Sequence, residues 1–298
     1  MKSKVASNRL FLFRMIPLML VVCFIGWCST ANRTRQEQMP IGAELIELFR
    51  ENGVLDATSQ DPASAAKNLG ETGMNRLLYL AAPTASLPVL KWLVAHGAEP
   101  RNVGALQDLT LMQMAAQSGK HDKLDYFLGF GLDPLGRTAD GRSLMHLASE
   151  GGLDEATLQW LTSKGLKVND ITHDGSTPLH MAALKSVSTL LRAGADLNAQ
   201  NHQGRTPLHE AVLREDHPVV SELIRQGASV FTADKEGRTP LHLAAMRHSE
   251  SVVDSLLSAG AMKATRDAHD LTPRELGELT RKNESSRRYD GHSIIDKL

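Results

Sequence analysis

The hexapeptide Gly-x-Thr-Pro-Leu-His occurs three times, as Gly175-Ser176-Thr177-Pro178-Leu179-His180, Gly204-Arg205-Thr206-Pro207-Leu208-His209 and Gly237-Arg238-Thr239-Pro240-Leu241-His242. Degenerate copies lie at residues 76–82, 110–116, 143–148 and 272–276. Successive copies are 33 or 34 residues apart, except for one spacing of 29 between Thr177 and Thr206. A repeat of this period predicts a stack of similar helical units that share one core.

A series of glycines confirms the period independently. Spacings of 34, 34, 29, 33 and 33 residues separate Gly97, Gly131, Gly165, Gly194, Gly227 and Gly260. Glycine tolerates the left-handed conformation that ends a helix, whereas Thr followed by Pro is typical of a helix start. The two series therefore predict six units, each with a first helix that begins at the Thr position and a second helix that ends at the glycine.

The motif Thr-Pro-Leu-His-x-Ala, the period near 33 and the closing Gly-Ala resemble the ankyrin repeat. This resemblance implies an all-α ankyrin-repeat solenoid with short β-hairpin fingers and a concave face that binds proteins. It also implies a structural hydrogen-bonding role for the histidines of the motif, which are His146, His180, His209 and His242.

The array is expected to span residues 76–280, as six repeats and a C-terminal cap. Residues 32–75 are interpreted as an N-terminal cap with an insertion, and residues 281–298 as a polar tail. Arg274 and Glu275 stand where Leu and His stand in interior copies, as expected where no further repeat follows. In the short unit, we place the four missing residues after Lys185 and expect a shortened second helix and a changed stacking angle.

Residues 1–31 have the character of a secretory signal peptide. Four cations and no acid precede an uncharged run from Met15 to Trp27, and Ser29-Thr30-Ala31 provides small residues for cleavage. We therefore expect an exported protein, periplasmic or secreted, and the resemblance is to an exported, bacterial member of the family. Two alternatives remain open: residues 10–27 stay as a membrane anchor, or Cys28 is lipidated.

No sequence motif for catalysis, cofactor binding or metal binding is present. The four motif histidines lie on successive helices, about 8–10 Å apart by packing, whereas zinc ligands lie about 2 Å from the metal. His209-Glu210 resembles the start of a zinc-protease helix, but Leu213 occupies the place of the second histidine. Asp196, Asp234 and Asp267 fall in predicted turns. A net charge of −1 is unlike that of a general nucleic-acid binder.

We therefore predict a non-enzymatic module, monomeric and without cofactor, that binds a folded protein partner and inhibits or stabilises it. A membrane-anchored scaffold is the first alternative, and a hydrolase a remote one. Candidate contact residues are those that the repeat pattern does not fix on first helices and near fingers. They are Gln113, Gln117, Met181, Lys185, His202, Glu210, Arg214, Lys235, Arg247 and His248.

Overall fold

A computed structural model of the chain describes residues 41–52, 61–102 and 109–283. It divides into two compact units, residues 1–98 and residues 99–298. The predicted signal segment, Cys28 and most of the polar tail lie outside the described residues. None of the helices in the described ranges is both long enough and apolar enough to cross a membrane.

The first unit contains three described helices: α1 (Ile41–Glu51), α2 (Pro62–Ala81) and α3 (Leu87–Ala95). α2 is broken at Gly70, whose φ of 63° and ψ of −178° are not helical, so the predicted insertion is partly helix. Glu44 of α1 accepts hydrogen bonds from the backbone N–H and the hydroxyl of Ser86, at 2.6 and 2.7 Å. Because Ser86 is the N-cap residue of α3, this buried carboxylate joins α1 to the start of α3.

The second unit is a series of antiparallel helix pairs. The pairs are α4 (Leu111–Ala116) with α5 (His121–Leu128), α6 (Leu144–Gly151) with α7 (Glu155–Ser163), a 3₁₀ turn (Pro178–Met181) with α8 (Leu184–Arg192), α9 (Pro207–Leu213) with α10 (His217–Arg225), and α11 (Pro240–Met246) with α12 (Glu250–Ser258). α13 (Pro273–Asn283) packs on α11 and ends the series. Leu179, Leu208 and Leu241 of the repeated motif are all buried, as the period requires.

In four units, a Thr or Ser and the motif His form a reciprocal cap at the start of the first helix or turn. In one unit, the Thr206 backbone N–H donates to His209 Nδ1 at 3.1 Å. The other ring nitrogen, Nε2, must then carry the hydrogen, and it donates to the carbonyl of Arg238 in the next finger, also at 3.1 Å. The same two contacts recur at His146, His180 and His242. These histidines therefore tie each unit to the next, which confirms the structural role expected from the resemblance.

The fingers are hydrogen-bonded turns, and those at residues 138–142, 172–176, 201–205, 234–238 and 267–271 contain no β-strand. Successive fingers are joined through their backbones, for example by the Lys235 N–H, which donates to the Gln203 carbonyl at 2.9 Å. A side chain would not fit at Gly204, since a Cβ atom there would lie 2.9 Å from the Lys235 nitrogen. Close contact between fingers thus explains the finger glycines.

The short unit differs from the prediction. Its second helix, α8, has nine residues, as many as α10, whereas its first helix is reduced to a four-residue 3₁₀ turn. The expected shortening of the second helix is therefore wrong. The deletion falls on the first helix and its loop because buried residues of α8, Val187 and Leu190, are needed to continue the core.

The shortened segment is attached to α6 by backbone and hydroxyl hydrogen bonds. The carbonyl of Ser149, near the C-terminus of α6, accepts from the Ala183 N–H at 2.9 Å and from the Ser186 hydroxyl at 2.6 Å. The same hydroxyl accepts from the Leu153 N–H at 2.8 Å. These bonds satisfy groups that the end of a helix leaves without intrahelical partners.

Candidate functional site

The residues on the first helices and in the fingers of the second unit that the repeat pattern does not fix are here called the first-helix surface. Among the candidates, His202 and Lys235 in the fingers have exposed side chains. Lys185 is also exposed, but it is the second residue of α8, a second helix, which corrects its predicted placement on a first helix. Within the part of the chain that the structure describes, neither lysine forms an ion pair. These three candidates are therefore available for contact with another molecule.

Gln113 is not available, which corrects its assignment to the surface. Its side chain is 2% exposed. Its Oε1 accepts from the Thr110 N–H at 2.8 Å, and its amide nitrogen donates to the Gly136 carbonyl at 3.4 Å. Gln113 thus makes the two contacts that the motif histidines make in other units, and it belongs to the scaffold. Gln117, near the end of the same helix, is half-buried.

Glu210 is half-buried and held by polar neighbours on the finger before it. Its Oε1 accepts from the Asn201 side-chain amide at 3.3 Å and lies 3.6 Å from Arg205 Nη1. The carboxylate is therefore part of an intramolecular network, which restricts its capacity to pair with a partner.

Arg214 fills part of the space that the short unit leaves open. Its Nη1 donates to the carbonyl of His180 at 2.5 Å. This carbonyl lies at the end of the 3₁₀ turn, where a longer helix would have supplied a backbone N–H. Arg214 keeps accessible surface, but the surrounding protein lowers its pKa by desolvation. Arg214 therefore has a structural bond and an exposed side chain, and its assignment as a contact residue stays a prediction.

The sequence analysis missed two further charged residues, Glu150 and Arg142, whose ion pair lies near Arg214. Glu150, at the end of α6, pairs with Arg142 at 3.0 Å, and burial raises the pKa of its carboxyl. Arg214 also contributes to its electrostatic environment. Met181 in the 3₁₀ turn is half-buried, and Leu184 at the start of α8 is 45% exposed. The residues that begin α7, α10 and α12 are exposed as well.

The remaining candidates, Arg247 and His248, line a cleft of about 470 Å³ between two successive helix–helix loops. We call it the loop cleft. Its residues are Glu215, His217, Arg247, His248, Ser249, Glu250, Ser251 and Asp254. Arg247 pairs with Glu215 across the two loops at 2.6 Å. His217 Nε2 lies 2.9 Å from the Ser249 hydroxyl, and Ser251 contacts His217 Nδ1.

The motif histidines are neutral in the folded unit. Desolvation by burial lowers the pKa of His209 to about 4, in spite of its hydrogen bond to Arg238 and the nearby Asp234. Burial also lowers the pKa of His146, His180 and His242. A neutral ring is what the geometry requires, because Nδ1 accepts and Nε2 donates.

The comparisons with known proteins agree with this geometry. The family model described as "Ankyrin repeats (3 copies)" matches residues 111–201 and 183–267, which together make up more than half of the chain. The chain is an ankyrin-repeat protein. Among solved structures, it is similar to the ankyrin repeat domain of Bcl-3, described as a unique member of the IkappaB protein family. That match has a TM-score of 0.50 and 24% identity, and it covers 74% of this chain and 97% of the other.

Ankyrin repeats are generally protein–protein interaction modules, and their fold is a typical non-enzymatic scaffold. In this ankyrin array, Asp234 and Asp267 close the fingers by accepting backbone N–H groups, and Asp196 closes a turn through the Asn198 N–H. No group of three or more His, Cys, Asp or Glu side chains in the described residues could hold a metal ion.

The sequence analysis named Arg247 and His248 but missed the other residues of the loop cleft, because it followed first helices and fingers only. Glu215 and His217 precede or begin α10, and Ser251 and Asp254 lie in the first turns of α12. A signal was present: these two adjacent units keep the loop of four residues that the short unit has lost.

Proposed function

We propose that this ankyrin-repeat protein is exported and binds a folded protein partner, which it inhibits or stabilises, through the first-helix surface. This surface is the concave face in the family resemblance. The observation that carries the proposal is the contrast between residues that the scaffold uses and residues that it leaves available. His202 and Lys235 are exposed, whereas Gln113 and Glu210 are bound within the fold.

The scaffold does not require particular side chains at the positions that it leaves available. The finger residue two places before the glycine is His173, His202 or Lys235. This position changes while the hydrogen bonds of caps and fingers persist. Variation on a constant framework is how a repeat array acquires specificity for one protein.

Affinity capture with charge-reversed bait tests the proposal. The double variant His202→Glu and Lys235→Glu should lose the partner that the parent protein captures, as measured by quantitative mass spectrometry. Because the two side chains are exposed and make no ion pair in the described ranges, the thermal midpoint should move by only a few degrees.

The matched control carries the same kind of change away from the first-helix surface. It combines His121→Glu at the start of α5 with Lys167→Glu after α7. This variant should still capture the partner. If the two double variants lose or retain the partner equally, the proposed surface is wrong.

The apolar N-terminal run supports a second candidate, a scaffold held at a membrane by residues 10–27. Fractionation at high salt separates the two functions. A cleaved, exported protein stays in the soluble fraction, whereas an anchored one remains with the membranes because apolar insertion does not depend on ionic strength.

A further inference from the structure

We propose that residues 292–298 of this chain dock on α12 and α13 as one more second helix and so complete a further repeat at the C-terminal end of the array. The sequence analysis places these residues in the polar tail, and they lie outside the described residues. The occupant of this docking site is thus a named segment of the same chain, and the site is independent of the first-helix surface.

The last described helices of the array have an open side. From α7 onward, each second helix packs on the first helix or turn of its own unit and on the second helix of the unit before it. α12, for example, packs on α11 and on α10. Within residues 109–283, no second helix follows α13. One side of α13 and the far side of α12 are therefore without the neighbour that the earlier units have.

Leu279 indicates that a neighbour of α13 is missing from the described ranges. It stands seven places after Thr272, and its side chain is 47% exposed. The residues at the same distance from the motif Thr or Ser in the units with a full first helix are all half-buried; they are Gln117, Glu150, Leu213 and Met246. An exposed leucine at a position that is half-buried wherever a second helix follows indicates that a second helix belongs here as well.

The second helices of the second unit all bury the same three positions, the third, fourth and seventh. In α12 these are Val252, Val253 and Leu256, each at most 1% exposed. The same positions are buried in the other four, as Lys123, Leu124 and Phe127, as Thr157, Leu158 and Leu161, as Ser186, Val187 and Leu190, and as Val219, Val220 and Leu223. Positions with this spacing share one face of a helix, and that face attaches each second helix to the array.

Residues 292–298, with the sequence His-Ser-Ile-Ile-Asp-Lys-Leu, repeat this pattern. Ile294 and Ile295 take the third and fourth positions, and Leu298 takes the seventh. At positions two to five, α12 has Ser-Val-Val-Asp where the segment has Ser-Ile-Ile-Asp. The segment begins with histidine, as α5 and α10 do. The sequence thus provides the apolar face that can cover the open side of α12 and α13.

The connection from α13 to this segment is long enough for docking. α13 has eleven residues where α11 has seven, so it is longer by about one turn, or about 6 Å. Residues 284–291 can span up to about 26 Å when extended, whereas packed helices lie about 8–10 Å apart. The chain can therefore turn back past the extra turn of α13 and run antiparallel to it.

Hydrogen exchange of the full chain, measured by mass spectrometry, tests the docking. We expect the amides of residues 295–298 to exchange at least ten-fold more slowly than in a free peptide of the same sequence. The variant Ile294→Asp with Ile295→Asp should abolish this protection and make the amides of α13 exchange at least ten-fold faster, because it places two carboxylates on the apolar face. Removal of residues 292–298 should have the same effect on α13.

The matched control adds two carboxylates at the first two positions of the segment, as His292→Asp with Ser293→Asp. These two positions are exposed in α10 and in α12, so this variant should keep the exchange rates of the parent in α13 and in residues 295–298. Because the segment contacts only the end of the array, exchange in α6 and α7 should be unchanged in every variant.

Four results would overturn the proposal. They are exchange of residues 295–298 at the rate of the free peptide, equal effects of the two double variants on α13, faster exchange in α6 and α7 to the same extent as in α13, and protection that disappears when the protein is diluted. The last result would mean that the segment binds a second copy of the chain.

Discussion

The motif histidine is the residue on which the stacking of this array depends most directly. His209 is fully buried, receives a hydrogen bond from its own cap and gives one to the next finger. Protonation would place a second hydrogen on Nδ1, opposite the Thr206 N–H, and both groups would then be donors. The folded unit therefore excludes the proton, whereas the unfolded chain binds it with an ordinary pKa.

This difference predicts acid destabilisation. Because the folded pKa of His209 is lowered to about 4, the unfolded chain binds more protons between pH 6.5 and 4, and stability falls as pH falls through that window. His209 alone should cost about 2 kcal/mol of unfolding free energy between pH 7 and pH 5. Urea unfolding at the two pH values measures the loss.

Gln113 shows which variant controls this experiment. Glutamine makes the equivalent two contacts in its own unit and does not titrate between pH 4 and 7. His209→Gln should therefore reduce the loss of stability between pH 7 and pH 5 by about 2 kcal/mol. An unchanged pH dependence in this variant would show that His209 does not exclude the proton.

The finger glycines give a second prediction for single residues. A Cβ atom at Gly237 would lie 2.8 Å from the Ala268 nitrogen of the next finger, and the φ of Gly237 is 73°. Asp270, the equivalent residue of the last finger, has a φ of 62° and is exposed. Gly237→Ala should cost about 2–3 kcal/mol, while Asp270→Ala should change stability by less than about 1 kcal/mol. Thermal unfolding compares them, and equal losses would contradict the packing argument.

At the scale of the element, the short unit shows what the sequence could predict and what it could not. Thr-Pro marked helix starts correctly because capping is a local property of Thr206 or Thr239 and the residues beside it. The place of the deletion is not local. It depends on packing against the neighbouring units. Val187 and Leu190 of α8 are buried in the shared core, so the second helix is retained and the first helix is shortened.

In the candidate site, too, some roles can be predicted from the local sequence and others depend on a neighbouring unit. Gln113 lies three residues after Thr110 and so has the spacing of a capping box, which the sequence contains without any structure. The structural role of Arg214 could not be predicted from its own unit, because its acceptor is a carbonyl left open by the truncated neighbour. The loop cleft likewise depends on two loops from different units.

Arg214 and Arg247 are equivalent residues in successive units and provide a matched pair. Arg214→Met leaves the His180 carbonyl without its donor and should destabilise the array by about 1–2 kcal/mol. Arg247→Met removes an exposed ion pair to Glu215 and should change stability by less than about 0.5 kcal/mol. Denaturant midpoints of the two variants measure this difference. Equal midpoints would mean that Arg214 does not support the short unit.

At the scale of the whole molecule, the sequence predicts a processed N-terminus. Cleavage after Ala31 removes four of the 33 Lys and Arg residues and none of the 34 acidic residues, which changes the net charge from −1 to −5. It also removes both cysteines. Intact-mass measurement of the exported protein should find Asn32 as the first residue. A first residue Cys28 with added lipid mass would indicate an anchor, and an uncut chain would contradict export by this route.

The central claim is that the partner lies on the first-helix surface. Site-specific incorporation of a photo-crosslinking amino acid tests it most directly, at His202 and Lys235 on that surface and at Lys167 and Arg192 away from it. The account predicts that the first two positions cross-link to one and the same protein and that the other two do not. Cross-links to that protein from Lys167 and Arg192, with none from His202 and Lys235, would contradict it.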